Sequence, residues 1–296
     1  MASAEALIRS PLGSPKYWRD WHQHRLGAIE KGWQIIAQPS ANPGYRPQYL
    51  REQAHRHREL MMLLYSAGAP ISEISVWFGG LLRAWEASQA LEPSVYPPEI
   101  VYRRRHWKGN LDLYIECFWL VGLALTLDIP DEQWLRLLAL IGNEGEDAVL
   151  DRFIASRQPG RRIGAKLLYP RPYARLHAAI TAPPQERSAL LKDFVQHWYA
   201  ELDRKATKGR PAIYNRPYWY TLGDENFEGG AYFGRWCIEA AAAAKAFGID
   251  DTPCCGLEHY PGDLLRPDGA STHPQRPPAK PEARPPWWKK KLFGGG

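Results

Sequence analysis

Residues Ala240 to Ala244 are five consecutive alanines, preceded by Glu239 and followed by Lys245-Ala246-Phe247-Gly248. A helix this smooth lets a neighbouring helix approach at the short end of the usual interaxial distance of about 8–10 Å. A surface helix has no need of such a face, so the run belongs at the centre of a helical body. Tyr232, Trp236, Ala240, Ala243 and Phe247 recur every three or four residues, the period of an inward-facing helix. Gly229-Gly230 ends whatever precedes, Gly248 stands where a left-handed cap closes the helix, and Asp250-Asp251-Thr252-Pro253 prevents resumption. One central helix from about Tyr232 to Phe247 is the expectation. Glu239 falls on the edge of its apolar face, and a buried carboxylate needs a partner. Arg103, Arg104, Arg105 and His259 are the candidates, in a structural ion pair and not a catalytic one.

The same period organises the rest of the chain. Helices are expected over Tyr17–Gln38, Gln48–Ser66 and Ile71 to about Ala90, with a proline-bearing link from Leu91 to Pro98. Asn110–Leu127 is the most apolar helix and is expected to pack on the Trp236 helix. Pro130 with Asp131 and Glu132 opens the next in the manner of a helix N-terminus, and Gly142-Asn143 ends it. Asp147–Arg157, Pro172–Thr181 and Pro184 to about Thr207 follow. No strand-like alternation of useful length occurs, so the fold class is all-α, a compact multi-helix, bundle-like body. The Gly142–Gly145 loop is read as a soft boundary, giving an N-terminal helical region, 1–145, and a C-terminal helical domain, 146–266. From residue 267 the chain turns proline-rich and basic, with almost no aliphatic residue. Residues 267–296 are therefore expected to form a disordered tail ending in Trp287-Trp288-Lys289-Lys290-Lys291-Leu292-Phe293.

Charge and cysteine usage narrow the class. Seven Lys or Arg against two Asp or Glu lie between Arg266 and the end, so +5 of the net charge of +6 belongs to the tail. The body is nearly neutral, which argues against direct contact with nucleic acid. Pro11, Gly13 and Pro15 interrupt the N-terminus where an export signal needs an apolar core, and the Cys117–Leu127 run is too short to span a bilayer. Four cysteines, two of them adjacent, give no disulfide framework. A cytoplasmic protein without a transmembrane segment is expected, and its aromatic content permits a homodimer.

Neither metal nor catalytic chemistry gathers enough ligands. Glu52 and His55 make one Glu-x-x-His pair, but a helical di-metal site needs a second copy and two further glutamates. His55, His57 and Glu59 read instead as an exposed helix face. Cys254, Cys255 and His259 lack the spacing of a structural zinc site, and Cys237 would have to supply a fourth ligand. No phosphate loop, dinucleotide fingerprint or serine elbow is present. No cofactor is expected, nor any enzymatic activity.

Trp198, Tyr218-Trp219-Tyr220, Tyr232-Phe233-Gly234-Arg235-Trp236-Cys237, the Glu239-Ala240-Ala241-Ala242 core, Gly248-Ile249-Asp250-Asp251 and His259-Tyr260-Pro261-Gly262-Asp263-Leu264 follow one another in this order. In order and spacing this C-terminal stretch closely resembles the PoNi-type immunity proteins. Those are cognate inhibitors of PoNe DNase toxins, delivered between bacteria mainly by type VI secretion. The resemblance is strongest over roughly the last third of the folded body and weaker towards the N-terminus. It implies a protein that binds a DNase toxin, blocks its active site and does no chemistry of its own. Tyr232, Gly234, Trp236, Glu239, Ala240, Asp250, His259, Tyr260, Pro261, Asp263 and Leu264, the family motif, are expected to hold the helices together. A DNase presents cations for phosphate, so acidic loop residues of an inhibitor would complement it. Three clusters qualify: Glu144, Glu146 and Asp147; Asp224, Glu225 and Glu228; and Asp250 with Asp251. The first two are favoured because they lie in loops. Two other readings remain: a metal-dependent helical-bundle enzyme around Glu239 or Glu52 and His55, and a nucleic-acid binder using the tail with Arg103 to Arg105.

Overall fold

The computed structural model describes residues 8–39, 42–108, 110–204, 216–224 and 229–275. Among them are eleven α-helices and no β-strand: α1 (Pro15–Ala37), α2 (Arg46–Ala67), α3 (Ile71–Ser75), α4 (Phe78–Val95), α5 (Pro98–Arg105), α6 (Leu111–Thr126), α7 (Asp131–Ile141), α8 (Leu150–Arg157), α9 (Pro170–Thr181), α10 (Pro184–Leu202) and α11 (Ile238–Phe247). Local chemistry sets most boundaries. The Ser14 side chain accepts the Tyr17 N–H at the start of α1, and Asn110 accepts the Leu113 N–H at the start of α6. Gly142, at φ 55°, ends α7.

α6 is the axis of the molecule. Every residue from Leu111 to Thr126 is buried except Asp112, and α11 lies against it, buried from Ile238 to Ala244. The contact is as close as the alanines allow. A Cβ placed on Gly122 of α6 would sit 2.8 Å from the Ile238 Cγ2 and 3.3 Å from the Ala242 Cβ. Around this pair Trp119 packs on Trp219 and Phe118 on Phe153, with ring centroids 5.0 and 4.8 Å apart. α2 lies between α1 and α4 in the N-terminal half, while α9 and α10 pair in the other.

Several expectations are corrected. The central helix begins at Ile238 and not Tyr232, because residues 229–237 run as irregular backbone whose hydrogen bonds are met from elsewhere. The Tyr17 hydroxyl donates to the Tyr232 carbonyl (2.7 Å), Ser66 donates to the Phe233 carbonyl (2.7 Å), and Gly234 takes φ 111°. The third helix is broken into α3 and α4, and α4 continues through Pro93 to Val95. A proline there frees the carbonyl four residues back, and Arg105 Nη2 donates to that Gln89 oxygen at 2.6 Å. The link read from Leu91 to Pro98 is thus mostly helix, and α5 follows at once. His57 is buried and not on an exposed face: its Nδ1 donates to the Gln53 carbonyl, and its ring lies near Trp33 and Trp77.

The tail departs from expectation as well. Residues 267–275 are placed, with Ser271 and Thr272 bonded to Asp263 and His273 buried against Tyr65 and Trp236. Residues 276–296, with the Trp287–Phe293 motif, lie outside the described residues. Among the described residues no helix is long and apolar enough to cross a membrane.

Candidate functional site

The loop between α7 and α8 is built on two buried aspartates. Asp147 Oδ1 accepts the Val149 and Leu150 N–H groups, at 2.9 and 2.8 Å, and the Tyr114 hydroxyl at 2.8 Å, while its Oδ2 accepts the Leu168 N–H. Asp151 Oδ2 accepts the Gly145, Asp147 and Gly164 N–H groups, each at 3.1 Å, and its Oδ1 pairs with Arg161. Two separate loops, 142–148 and 158–168, are tied together by these carboxylates. Asp147 is therefore corrected from a partner-facing residue to an internal one: 1% exposed, it holds the N–H groups that lead into α8 and has no oxygen left over.

Glu144 and Glu146 project from the same loop and are exposed. Glu144 accepts the Arg162 N–H at 2.8 Å, which holds its carboxyl below the usual range and its orientation fixed. Beside it runs a groove of about 600 Å³, floored by Leu135, Leu138 and Ala139 of α7 and walled by Gly142–Glu144 and Gln158–Arg161. Leu135 is 55% exposed. Its signal is visible in the sequence: α7 buries Trp134, Leu137, Leu140 and Ile141, and Leu135 stands out of phase with them.

The other acidic clusters differ. Asp224 is exposed and paired with Arg235 at 2.7 Å, while Glu225 and Glu228 lie outside the described residues. Asp250 is exposed, but its carboxylate accepts the Thr252 N–H and hydroxyl and its carbonyl accepts the Ser188 hydroxyl. Asp251 is buried, gripped by Arg266 through two bonds of 2.6 and 2.8 Å and by the Tyr260 hydroxyl at 2.6 Å.

Most of the remaining motif residues lie inside. Tyr232, Trp236, Glu239, Ala240, Tyr260, Asp263 and Leu264 are buried. Asp263 accepts from Arg9 Nε, Ser271 and Thr272, joining the two ends of the described chain, and these donors hold its carboxyl below the usual range against its burial. His259 Nδ1 donates to the Arg235 carbonyl, and burial lowers its pKa.

Glu239 has none of the expected cations. Tyr173 donates to its Oε1 at 2.9 Å, and the Trp119 and Trp198 indoles face it without well-formed hydrogen bonds. Burial pushes its pKa up to about 7, and these donors lower it only in part. The arginines proposed for it are engaged elsewhere, Arg104 and Arg105 on the buried carboxylate of Glu92 at 2.8 Å each.

One cluster of buried charges joins α2 to α6. Glu116 meets Arg51 at 2.8 Å, Arg58 at 3.2 Å and His55 at 3.6 Å. Despite its burial, these neighbours hold the Glu116 carboxyl down to about 2. His55 thus faces Glu116 and not a metal partner on its own helix. Among the described residues no three His, Cys, Asp or Glu side chains converge as ligands, and all four cysteines are free.

Comparison with known proteins bears on both halves. Residues 9–139 match the family described as PoNe immunity protein (PoNi), N-terminal, and residues 145–264 match PoNe immunity proteins (PoNi), C-terminal. Among solved structures, the fold is similar to that of protein PA2201 from Pseudomonas aeruginosa. The two are 16% identical, and the match covers 89% of this chain and 91% of that one at a TM-score of 0.65. No curated protein matches the chain.

Proposed function

The chain belongs to the PoNe immunity protein family, which makes it the binding partner and neutraliser of a cognate DNase toxin, and we propose that it works by covering the toxin's active site with the surface around Glu144 and Glu146. The observation that carries this reading is the double-aspartate brace. Asp147 and Asp151 fix two loops in one conformation, so Glu144, Glu146 and the Leu135 groove are offered preformed. Preorganisation lowers the ordering cost of binding, and an apolar floor beside carboxylates suits a protein site that carries cations for phosphate. Asp224 supplies a second acidic point, its charge shared with Arg235.

The near-neutral body argues against general DNA mimicry and for local complementarity. Inhibition then proceeds by occlusion, with no bond made or broken. The producing cell's cytoplasm is the compartment in which such an inhibitor has to act, and three buried free thiols suit a reducing one. To test the surface, the doubly altered Glu144→Lys/Glu146→Lys chain is co-expressed with the toxin. Loss of protection with an unchanged melting temperature is expected; full protection would remove these residues from the interface.

A further inference from the structure

Among the described α-helices, α5 alone buries none of its residues. It is held to the body by polar ties. Arg104 and Arg105 grip Glu92, Arg105 also reaches the Gln89 carbonyl, and Arg104 Nη1 donates to Gln48 Oε1 at 3.0 Å. A helix without an apolar stripe gains little from hydrophobic burial, so its outward face is free to serve another purpose. That face carries Tyr102, 54% exposed and stacked on His106 with centroids 3.8 Å apart, and the exposed Arg103. The Gln48 tie brings it beside the first turns of α2, where Tyr45 and Tyr49 are also exposed. Lys108 is exposed just beyond α5, and Glu99 is the one exposed carboxylate of the helix.

Tyrosine and arginine are the residue types that dominate protein–protein hot spots. The patch is also continuous with the Glu144 loop, since Asn143 donates from Nδ2 to the Arg105 carbonyl at 2.8 Å and accepts the Trp107 N–H at 3.4 Å. We infer that α5, with the start of α2, forms the cationic, tyrosine-bearing part of the toxin-docking surface, and that it receives a carboxylate-bearing region of the DNase. This inference rests on the toxin-binding function and adds to it a second, oppositely charged contact area. A nuclease site that holds a metal ion does so with carboxylates, beside the cations that bind phosphate. A uniformly acidic inhibitor would bury those carboxylates against its own like charges, unpaired and at a penalty to binding. A surface with Glu144 and Glu146 on one side and Arg103 on the other meets both signs, in keeping with the near-neutral body.

The test uses the full chain and a catalytically inactivated cognate toxin, with affinity measured for the unaltered chain and for Arg103→Glu and Tyr102→Ala. A twenty-nucleotide single strand is tested alongside, because a tyrosine–arginine patch can also stack bases. Each substitution is expected to weaken toxin binding by about tenfold or more with the melting temperature unchanged. Equal toxin affinity in all three chains overturns the inference and leaves the function standing. Oligonucleotide binding lost in Tyr102→Ala, with toxin affinity intact, overturns it in favour of nucleic acid. Failure of the unaltered chain to bind toxin contradicts the function itself, and the docking surface with it.

Discussion

Replacing Glu239 by glutamine should make the protein more stable at alkaline pH, although the residue is wholly buried. Among the described residues the carboxyl accepts one well-formed hydrogen bond, from Tyr173, its second oxygen has none, and no cation pairs with it. Its pKa is about 7 in the folded protein against 4.5 for a free glutamate side chain. The folded state therefore holds this proton more tightly than the unfolded state does. The stability contributed by the neutral acid is complete below about pH 4.5 and is lost as pH rises towards 7. At about 1.4 kcal/mol per pH unit between the two values, the loss amounts to about 3 kcal/mol. Glutamine keeps the acceptor for Tyr173 and carries no charge, so it escapes the loss. Urea unfolding at about pH 5 and about pH 8.5 measures the effect, and other titrating groups cancel between the two proteins. The variant is expected to be ahead by under about 1 kcal/mol at the lower pH and by about 3 kcal/mol at the higher. Parallel pH profiles, or a variant less stable at pH 8.5, would refute the reasoning.

Asp147→Ala removes the acceptor for the Val149, Leu150 and Leu168 N–H groups, leaving buried donors unpaired; a destabilisation of about 3 kcal/mol is expected by denaturant titration, together with loss of protection from toxin. A chain ending at Arg266 loses the Ser271, Thr272 and His273 contacts, and its thermal midpoint should fall by several degrees.

Where a boundary is written in neighbouring residues, the sequence showed it. Asn110, the Pro130-Asp131-Glu132 start and Gly142 bracket α6 and α7 because each satisfies or ends the backbone within a few residues of itself. The alanine run likewise announced its close neighbour. Tyr232 to Cys237 kept a helical spacing of apolar residues and yet is irregular, because Ser66 and Tyr17, more than 160 positions away, bond its carbonyls. Pro93 failed to stop α4 for the same kind of reason, a distant arginine taking the freed carbonyl. The tail's composition pointed to disorder from residue 267, yet Asp263 and Tyr65 capture its first residues. Of the acidic candidates, Glu144 and Asp147 look alike in sequence. Only the three-dimensional arrangement separates the exposed one from the buried brace, and only it reveals the Leu135 groove and the unburied α5.

Titrating the cognate DNase with the purified chain tests the central claim most directly. Cleavage of duplex DNA should fall to zero at a fixed molar ratio of chain to toxin and should not be restored by excess divalent metal, with the chain itself cutting nothing. Undiminished cleavage at saturating chain, or inhibition that follows the ratio of chain to DNA while the chain binds no toxin, would contradict it.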